Sequence, residues 1–186
     1  MLDIKKKVFI MRGISGSGKS TMVKKIVKEE LKLLMEERKT DIEDLIEENL
    51  VVICSADDFF MKNGNYEFDI EKISEAHDFC LRKYIDAIFD ASIQIVFVDN
   101  THTELWEYIP YITIARAYSC EITVVEVHRD VKACIQENKH GVPVNVIEAQ
   151  QKRFQPTPKE YSTRVIIIGE LPNFWTRFKR WLIQRV

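Results

Sequence analysis

The segment Lys7–Thr21, KVFIMRGISGSGKST, decides how the rest of the chain is read. Lys7–Arg12 is a β-branched and aromatic run that stops at Gly13, which predicts a buried first strand feeding a turn. From Gly13 to Ser20 the chain satisfies G-x-x-x-x-G-K-[ST], placed where the motif's chemistry requires it, between an apolar strand and a helix. Glycines let the backbone curl so that successive N–H groups converge on a phosphate, and the helix N-terminus adds the positive end of its dipole. On this reading Lys19 bridges the β- and γ-phosphates, the Ser20 hydroxyl serves Mg²⁺, and Thr21 reaches the α-phosphate. Gly13, Ser15, Gly16, Ser17, Gly18, Lys19, Ser20 and Thr21 are therefore the expected nucleotide-binding residues, with ATP and Mg²⁺ the expected ligands. A glycine-rich turn without a ligand would leave the lysine and hydroxyl at its end unexplained.

Working outward, Met22, Ile26, Leu31, Leu34 and Met35 recur at helical spacing after Lys19. Leu50–Ser55 (LVVICS) reads as a strand buried on both faces, and Ala56–Asp69 as a polar, aromatic-rich loop. Ile70–Phe89 reads as a helix, Ile93–Val98 as a strand, Glu104–Tyr118 as a helix and Glu121–Val127 as a strand. Asp130–Asn138 and Asn145–Phe154 read as helices around a turn at Lys139–Pro143, and Arg164–Ile168 as the last strand. Such alternation predicts a three-layer α/β domain with right-handed crossovers and a mostly parallel sheet. The charged stretch Glu36–Asn49 predicts a solvated second helix or an extension of the first. Near the end, Phe174, Trp175, Phe178, Trp181 and Leu182 share one helical face, with Arg177, Lys179, Arg180 and Arg185 on the other. Docking of that helix on the sheet is expected in preference to a membrane surface.

A length of 186 residues suits one domain, and 46% hydrophobic with 30% charged residues is globular composition. No run approaches the roughly 20 apolar residues of a membrane span. The opening Met1-Leu-Asp-Ile-Lys-Lys-Lys lacks the apolar stretch and cleavage site of a secretory signal, so a cytoplasmic protein is expected. Cys54, Cys80, Cys120 and Cys134 are scattered without a C-x-x-C pair, which points to neither zinc nor a disulfide framework. With net charge −2 and pI near 6.1, any nucleic-acid contact must depend on a local groove.

Ligands of open parallel sheets bind beyond the carboxyl ends of the strands, so acidic residues there carry the most weight. One strand ends in Ser55-Ala-Asp57-Asp58-Phe59-Phe60 and another in Val98-Asp99-Asn100-Thr101. A carboxylate at one end can accept the proton of an attacking hydroxyl, and one at the other can orient Mg²⁺ or its water. Asp99, at the tip of an apolar strand, has the position of a Walker B aspartate. Asp58, Phe59, Phe60 and Thr101 are candidates for contact with the acceptor. Phe59, Phe60, Tyr66 and Phe68 either stack a base of that acceptor or belong to the core. Beyond the fourth strand, Arg129, Lys132, Lys139, His140, Lys152 and Arg153 surround Gly141-Val-Pro143. Arg129 and Arg153 are the favoured cations of a mobile lid that closes over the triphosphate. His140 reads as a turn residue, and His77, His102 and His128 show no metal-ligand spacing.

Taken together, Arg12-Gly-Ile-Ser-Gly-Ser-Gly-Lys-Ser-Thr21, Ser55-Ala-Asp57-Asp58-Phe-Phe60, Tyr66-Glu-Phe-Asp69 with Ala76-His77, and Asp99-Asn-Thr101 resemble the phage-type polynucleotide kinases and their P-loop ATPase relatives. His140-Gly-Val-Pro143 with Arg153 resembles that group's lid, so the resemblance spans about Val8 to Phe154. It implies an adenylate-kinase-like core of five strands in order 2-3-1-4-5, and transfer of the ATP γ-phosphate to a 5′-hydroxyl of DNA or RNA. It also implies Asp57 as general base, Lys19 and Ser20 as triphosphate and Mg²⁺ ligands, and Arg153 as a lid cation. The family's acceptor-holding arginine, three residues after the base, is Phe60 here, and Lys139 and His140 stand near its paired lid arginines. A small-molecule hydroxyl is the alternative acceptor, and a nucleotide-dependent module with little phosphotransfer is the alternative function.

Overall fold

Strand β1 (Lys7–Arg12) is apolar on both faces and lies at the centre of the sheet, with Val8, Phe9, Ile10 and Met11 all buried. A computed structural model describes residues 5–38, 50–138, 141–161 and 164–169. β1 pairs in parallel with β5 (Ile95–Asp99) on one side and β6 (Glu121–Val127) on the other. β2 (Val51–Cys54) extends the sheet beyond β5, and β7 (Arg164–Ile168) extends it beyond β6. The order β2-β5-β1-β6-β7 is the 2-3-1-4-5 order of the sheet's strands that the resemblance implied.

Alternate side chains of β1 feed two separate cores, as a pleated strand must. Phe9 and Met11 join Phe97 and Val125 beneath α1 (Lys19–Arg38), which contributes Val23 and Leu34. Phe9 stacks on Phe97 with centroids 4.8 Å apart. Val8 and Ile10 join Val96 and Val98 against α2 (Ile73–Phe89) and α3 (Leu105–Ala117), which supply Tyr84, Tyr108 and Ile112. A third, smaller core holds α4 (Val131–Gln136) and α5 (Val144–Arg153) against the Gly13–Ser20 loop, through Ile14, Cys134, Ile147 and Phe154. The segment expected as a lid is thus docked by apolar side chains onto the loop it was expected to close over.

The Ala56–Asp69 segment, expected as a loop, contains regular structure. A 3-10 turn (Ala56–Phe60) leads into a hairpin of β3 (Met61–Lys62) and β4 (Asn65–Tyr66). Asn63 and Gly64 both have positive φ at its tip, and Asn-Gly is the favoured sequence for that geometry. The Ile70–Phe89 helix divides into a 3-10 turn at Ile70–Lys72, with Asp69 accepting from Glu71 N–H, followed by α2. Residues 39–49, Lys139 and His140, and the amphipathic C-terminal stretch lie outside the described residues. Among the described residues no helix is long and apolar enough to cross a membrane.

Candidate active site

The four strand ends that meet at the carboxyl edge of the sheet carry the site. After β1 the chain turns at Gly13, whose N–H donates to the Thr101 carbonyl (2.9 Å) and so ties the loop to the segment that follows β5. Gly16 has φ +78°, and a Cβ there would fall on the Cys134 carbonyl of α4. Only glycine meets both demands without strain. Gly18 has φ +98° and opens directly into the 20-residue helix α1, whose first residue is Lys19. Lys19 Nζ donates to the Ile14 carbonyl (3.2 Å) across the loop. Burial pulls the Lys19 ammonium below its ordinary pKa, and the charges of Asp99 and Asp57 oppose that shift. The Ser15 N–H is held by Gln150 Oε1 of α5 (2.8 Å).

Two strand ends are bolted together by Ser55 and Asn100. Ser55 Oγ donates to the Asp99 carbonyl (3.0 Å) and accepts from Asp57 N–H (3.2 Å), capping the 3-10 turn. Asn100 Oδ1 accepts from Ala56 N–H (2.9 Å). This cross-bracing leaves Asp57 exposed and acting on Lys19, with its Oδ1 accepting from the Tyr66 hydroxyl (3.0 Å). Asp58 turns the other way and pairs with Lys83 of α2 at 2.7 Å. The adjacent carboxylates therefore divide, one facing the loop and one bracing α2.

Burial pushes the Asp99 carboxyl up, against the opposing influence of Lys19 and a hydrogen bond with Ser20. Its Oδ1 is buried with no hydrogen-bond partner among the described residues. A hydroxyl beside an under-satisfied carboxylate is a hard oxygen donor set. Mg²⁺ binds through one or two carboxylates and completes its shell with phosphate and water, so Ser20 and Asp99 fit that ion. Among the described residues no group of three His, Cys, Asp or Glu is arranged for a metal, so a cage made wholly of their side chains is not formed.

Arg153, at the end of α5, donates to Thr103 Oγ1 (2.9 Å) and lies 3.9 Å from both Glu104 and Glu107 at the start of α3. Arg129 lies 3.6 Å from Glu137. Phe60, a candidate for acceptor contact, is 4% exposed and packs against Phe59, Tyr66 and Phe68, which makes it core rather than an open stacking face. Phe59 is half-buried and also leans on Phe79 of α2. Thr101 reaches the site through its backbone carbonyl.

A buried network beneath the site was not foreseen. Arg12 is 0% exposed, with its guanidinium lying 4.4 Å from the Tyr108 ring centroid and 4.6 Å from that of Phe154. It donates to the carbonyls of His102 (2.8 Å) and Gln155 (2.7 Å) and pairs with Glu126 at 2.9 Å. Burial alone would raise the Glu126 carboxyl. The hydrogen bond with His128, the Arg12 charge and the Thr157 hydroxyl instead hold it down at about 2. Arg12 thereby ties the last residue before the loop to the β5 turn and to the chain leaving α5. The signal available in sequence was a guanidinium at the tip of an otherwise apolar strand. Ser55, Asn100, Tyr66 and Gln150 were likewise not singled out for these contacts.

The model of the AAA domain family AAA_33 matches residues 8–157. Human NEDD4-binding protein 2 is 27% identical over 168 residues, an alignment that takes in 88% of this chain but 8% of that protein. Kti12 from Chaetomium thermophilum, solved with ADP-AlF3, superposes with a TM-score of 0.55 at 15% identity, covering 94% of this chain and 97% of that one. A chain of the Pnkp1/Rnl/Hen1 complex gives 0.51 at 19% identity, covering 77% of this chain and 42% of that one. At such identities the solved structures speak for the fold, a P-loop kinase-like α/β sheet, and the family match speaks for descent. The chain belongs to the AAA domain family of P-loop proteins.

Proposed function

We propose that this chain is an ATP-dependent phosphotransferase that moves the γ-phosphoryl group to a hydroxyl, and that the hydroxyl is the 5′-end of a nucleic acid. The observation that carries the reading is the placement of Asp57. It is exposed at the end of β2, anchored to the end of β5 through Ser55 and Asn100, and near enough to Lys19 for their charges to interact. In this reading Asp57 accepts the proton of the attacking hydroxyl. Lys19 and the loop amides bind the phosphates, and Ser20 and Asp99 hold the metal. Mg²⁺-ATP, when bound, supplies the phosphoryl group and the neutralisation of its charge. Arg153 and Arg129 sit in loose ion pairs of the kind that contribute little stability, so a phosphate can draw either away. Most of the acceleration is then positioning and preorganised charge. The nucleic-acid acceptor rests on the ordered series of motifs from Arg12 to Arg153, and a reducing cytoplasm suits the free cysteines.

Incubation with γ-labelled ATP, a mixture of 5′-hydroxyl oligonucleotides and small alcohols tests the reading. The expected result is label on the oligonucleotides, lost in Asp57→Asn while ATP binding persists. Label on the alcohols alone would sink the nucleic-acid acceptor. ATP binding with no transfer to anything would leave a nucleotide-dependent module and sink the phosphotransferase.

A further inference from the structure

Helix α1 (Lys19–Arg38) spends its apolar face on the sheet, where Val23, Val27, Leu31 and Leu34 join the core of Phe9, Phe97 and Val125. Its solvent side carries segregated charge. At about 3.6 residues per turn, Thr21, Lys24, Lys25, Lys28 and Lys32 fall within an arc of about 100°, and all five are exposed. Thr21 ends the nucleotide loop, so the stripe starts there, and its lysines run for about 12 Å from Lys24 to Lys32. Between Thr21 and Lys32 the arc holds no apolar residue. Among the described residues none of these lysines has an ion-pair partner, and Glu29 and Glu36 border the stripe without reaching ion-pair distance. Lys24 with Lys28, and Lys28 with Lys32, are like charges four residues apart, a spacing that weakens a helix. The stripe is thus held at a cost to α1 that no contact among the described residues offsets.

We infer that this stripe is an electrostatic track for a single nucleic-acid strand. The choice of partner rests on the phosphotransferase reading, in which that strand is the one whose 5′-end is the acceptor. In a chain of net charge −2, attraction for a polyphosphate has to come from a local concentration of cations. A row of lysines along one helix is that kind of footprint. A polyphosphate repeats its charge along a line, and so does the stripe, with Lys24, Lys28 and Lys32 following one another at about 6 Å along the axis. A lipid surface is a worse fit, because an interfacial helix buries an apolar face among the headgroups and the apolar face of α1 is taken by the sheet. Lysines are point charges on flexible stems, so the track holds the phosphate backbone and reads no sequence.

The test uses the full chain and an oligonucleotide that already carries a 5′-phosphate, so that binding is read without transfer. Its affinity is measured by fluorescence anisotropy between about 50 and 200 mM KCl. The proteins compared are the parent, a variant with Lys24→Gln, Lys25→Gln, Lys28→Gln and Lys32→Gln, and a variant with Lys→Arg at the same positions. Each lysine that meets a phosphate of a single strand contributes about 0.7 to the slope of log K against log salt, so the glutamine variant is expected to lose about two to three from that slope. The arginine variant should keep it. Relief of the like-charge pairs should leave the glutamine variant at least as resistant to heat as the parent, which separates weaker binding from unfolding. A slope unchanged by glutamine, an arginine variant that loses as much as the glutamine one, or a parent that binds no oligonucleotide overturns the track. Vesicles of phosphatidylserine and phosphatidylcholine bound through these lysines, with oligonucleotide binding indifferent to them, would assign the stripe to a lipid surface and overturn it equally. If no label passes from ATP to a 5′-hydroxyl oligonucleotide while the slope still depends on the lysines, the phosphotransferase reading falls and the track stands.

Discussion

Acidification should loosen the base of the nucleotide loop through His102. This residue follows β5 in a positive-φ conformation (44°), is 2% exposed, and lies against the rings of Tyr108 and Tyr111. Its Nδ1 faces the Met11 carbonyl at 3.0 Å, which assigns the proton to Nδ1, and Nε2 is buried without a partner among the described residues. Burial lowers the imidazole from 6.5 to about 3; the bond to Met11 resists this, while the positive charges of Arg12 and Lys19 add to it. The unfolded chain takes up a proton below its ordinary pKa of about 6.5, while the folded site stays neutral until about 3. The unfolded state therefore binds more protons across that window, and stability falls as the pH drops through it. Between about pH 7 and pH 5 the folded site remains neutral, and the loss amounts to about 2 kcal/mol. Urea unfolding at both pH values, in the parent and in His102→Asn, isolates this contribution. Asparagine tolerates positive φ, and the other histidines are common to both proteins. The parent should lose about 2 kcal/mol more than the variant over the interval. Equal losses in the two proteins would refute the claim that the fold holds His102 neutral.

The geometry of the loop and of the buried Arg12 network sets three further outcomes. Arg12→Met leaves the Glu126 carboxylate buried without its guanidinium and should cost about 3–5 kcal/mol in chemical denaturation, with part recovered by adding Glu126→Gln. Gly16→Ala forces a side chain into positive φ and against the Cys134 carbonyl, so it should destabilise by more than about 1 kcal/mol and weaken nucleotide binding by calorimetry. Lys19→Ala with Ser20→Ala removes a charge-assisted contact and a metal ligand, and should weaken Mg²⁺-ATP binding by roughly ten- to a hundredfold. Unaltered binding in that double variant would end the phosphotransferase reading.

The strands and helices were legible because their information is local. Glu121–Val127 and Arg164–Ile168 were bounded by composition alone, and the Gly13–Ser20 loop is a contiguous string whose glycines and flanks specify its own geometry. The Asn63-Gly64 hairpin was legible in principle and was overlooked inside a loop crowded with aromatics. The partition of Asp57 and Asp58 was not legible. It depends on Ser55 capping the turn and on Lys83, which lies 25 residues away on α2. Nor was Arg12, whose partner Glu126 is 114 residues distant and is brought alongside by the register of β1 on β6. Which carbonyl holds His102 neutral follows from the same long-range pairing. Backbone periodicity and short motifs act between neighbours and so are written along the chain. The partners of buried charges are chosen by sheet register and layer packing, and these exist only once the chain has closed on itself.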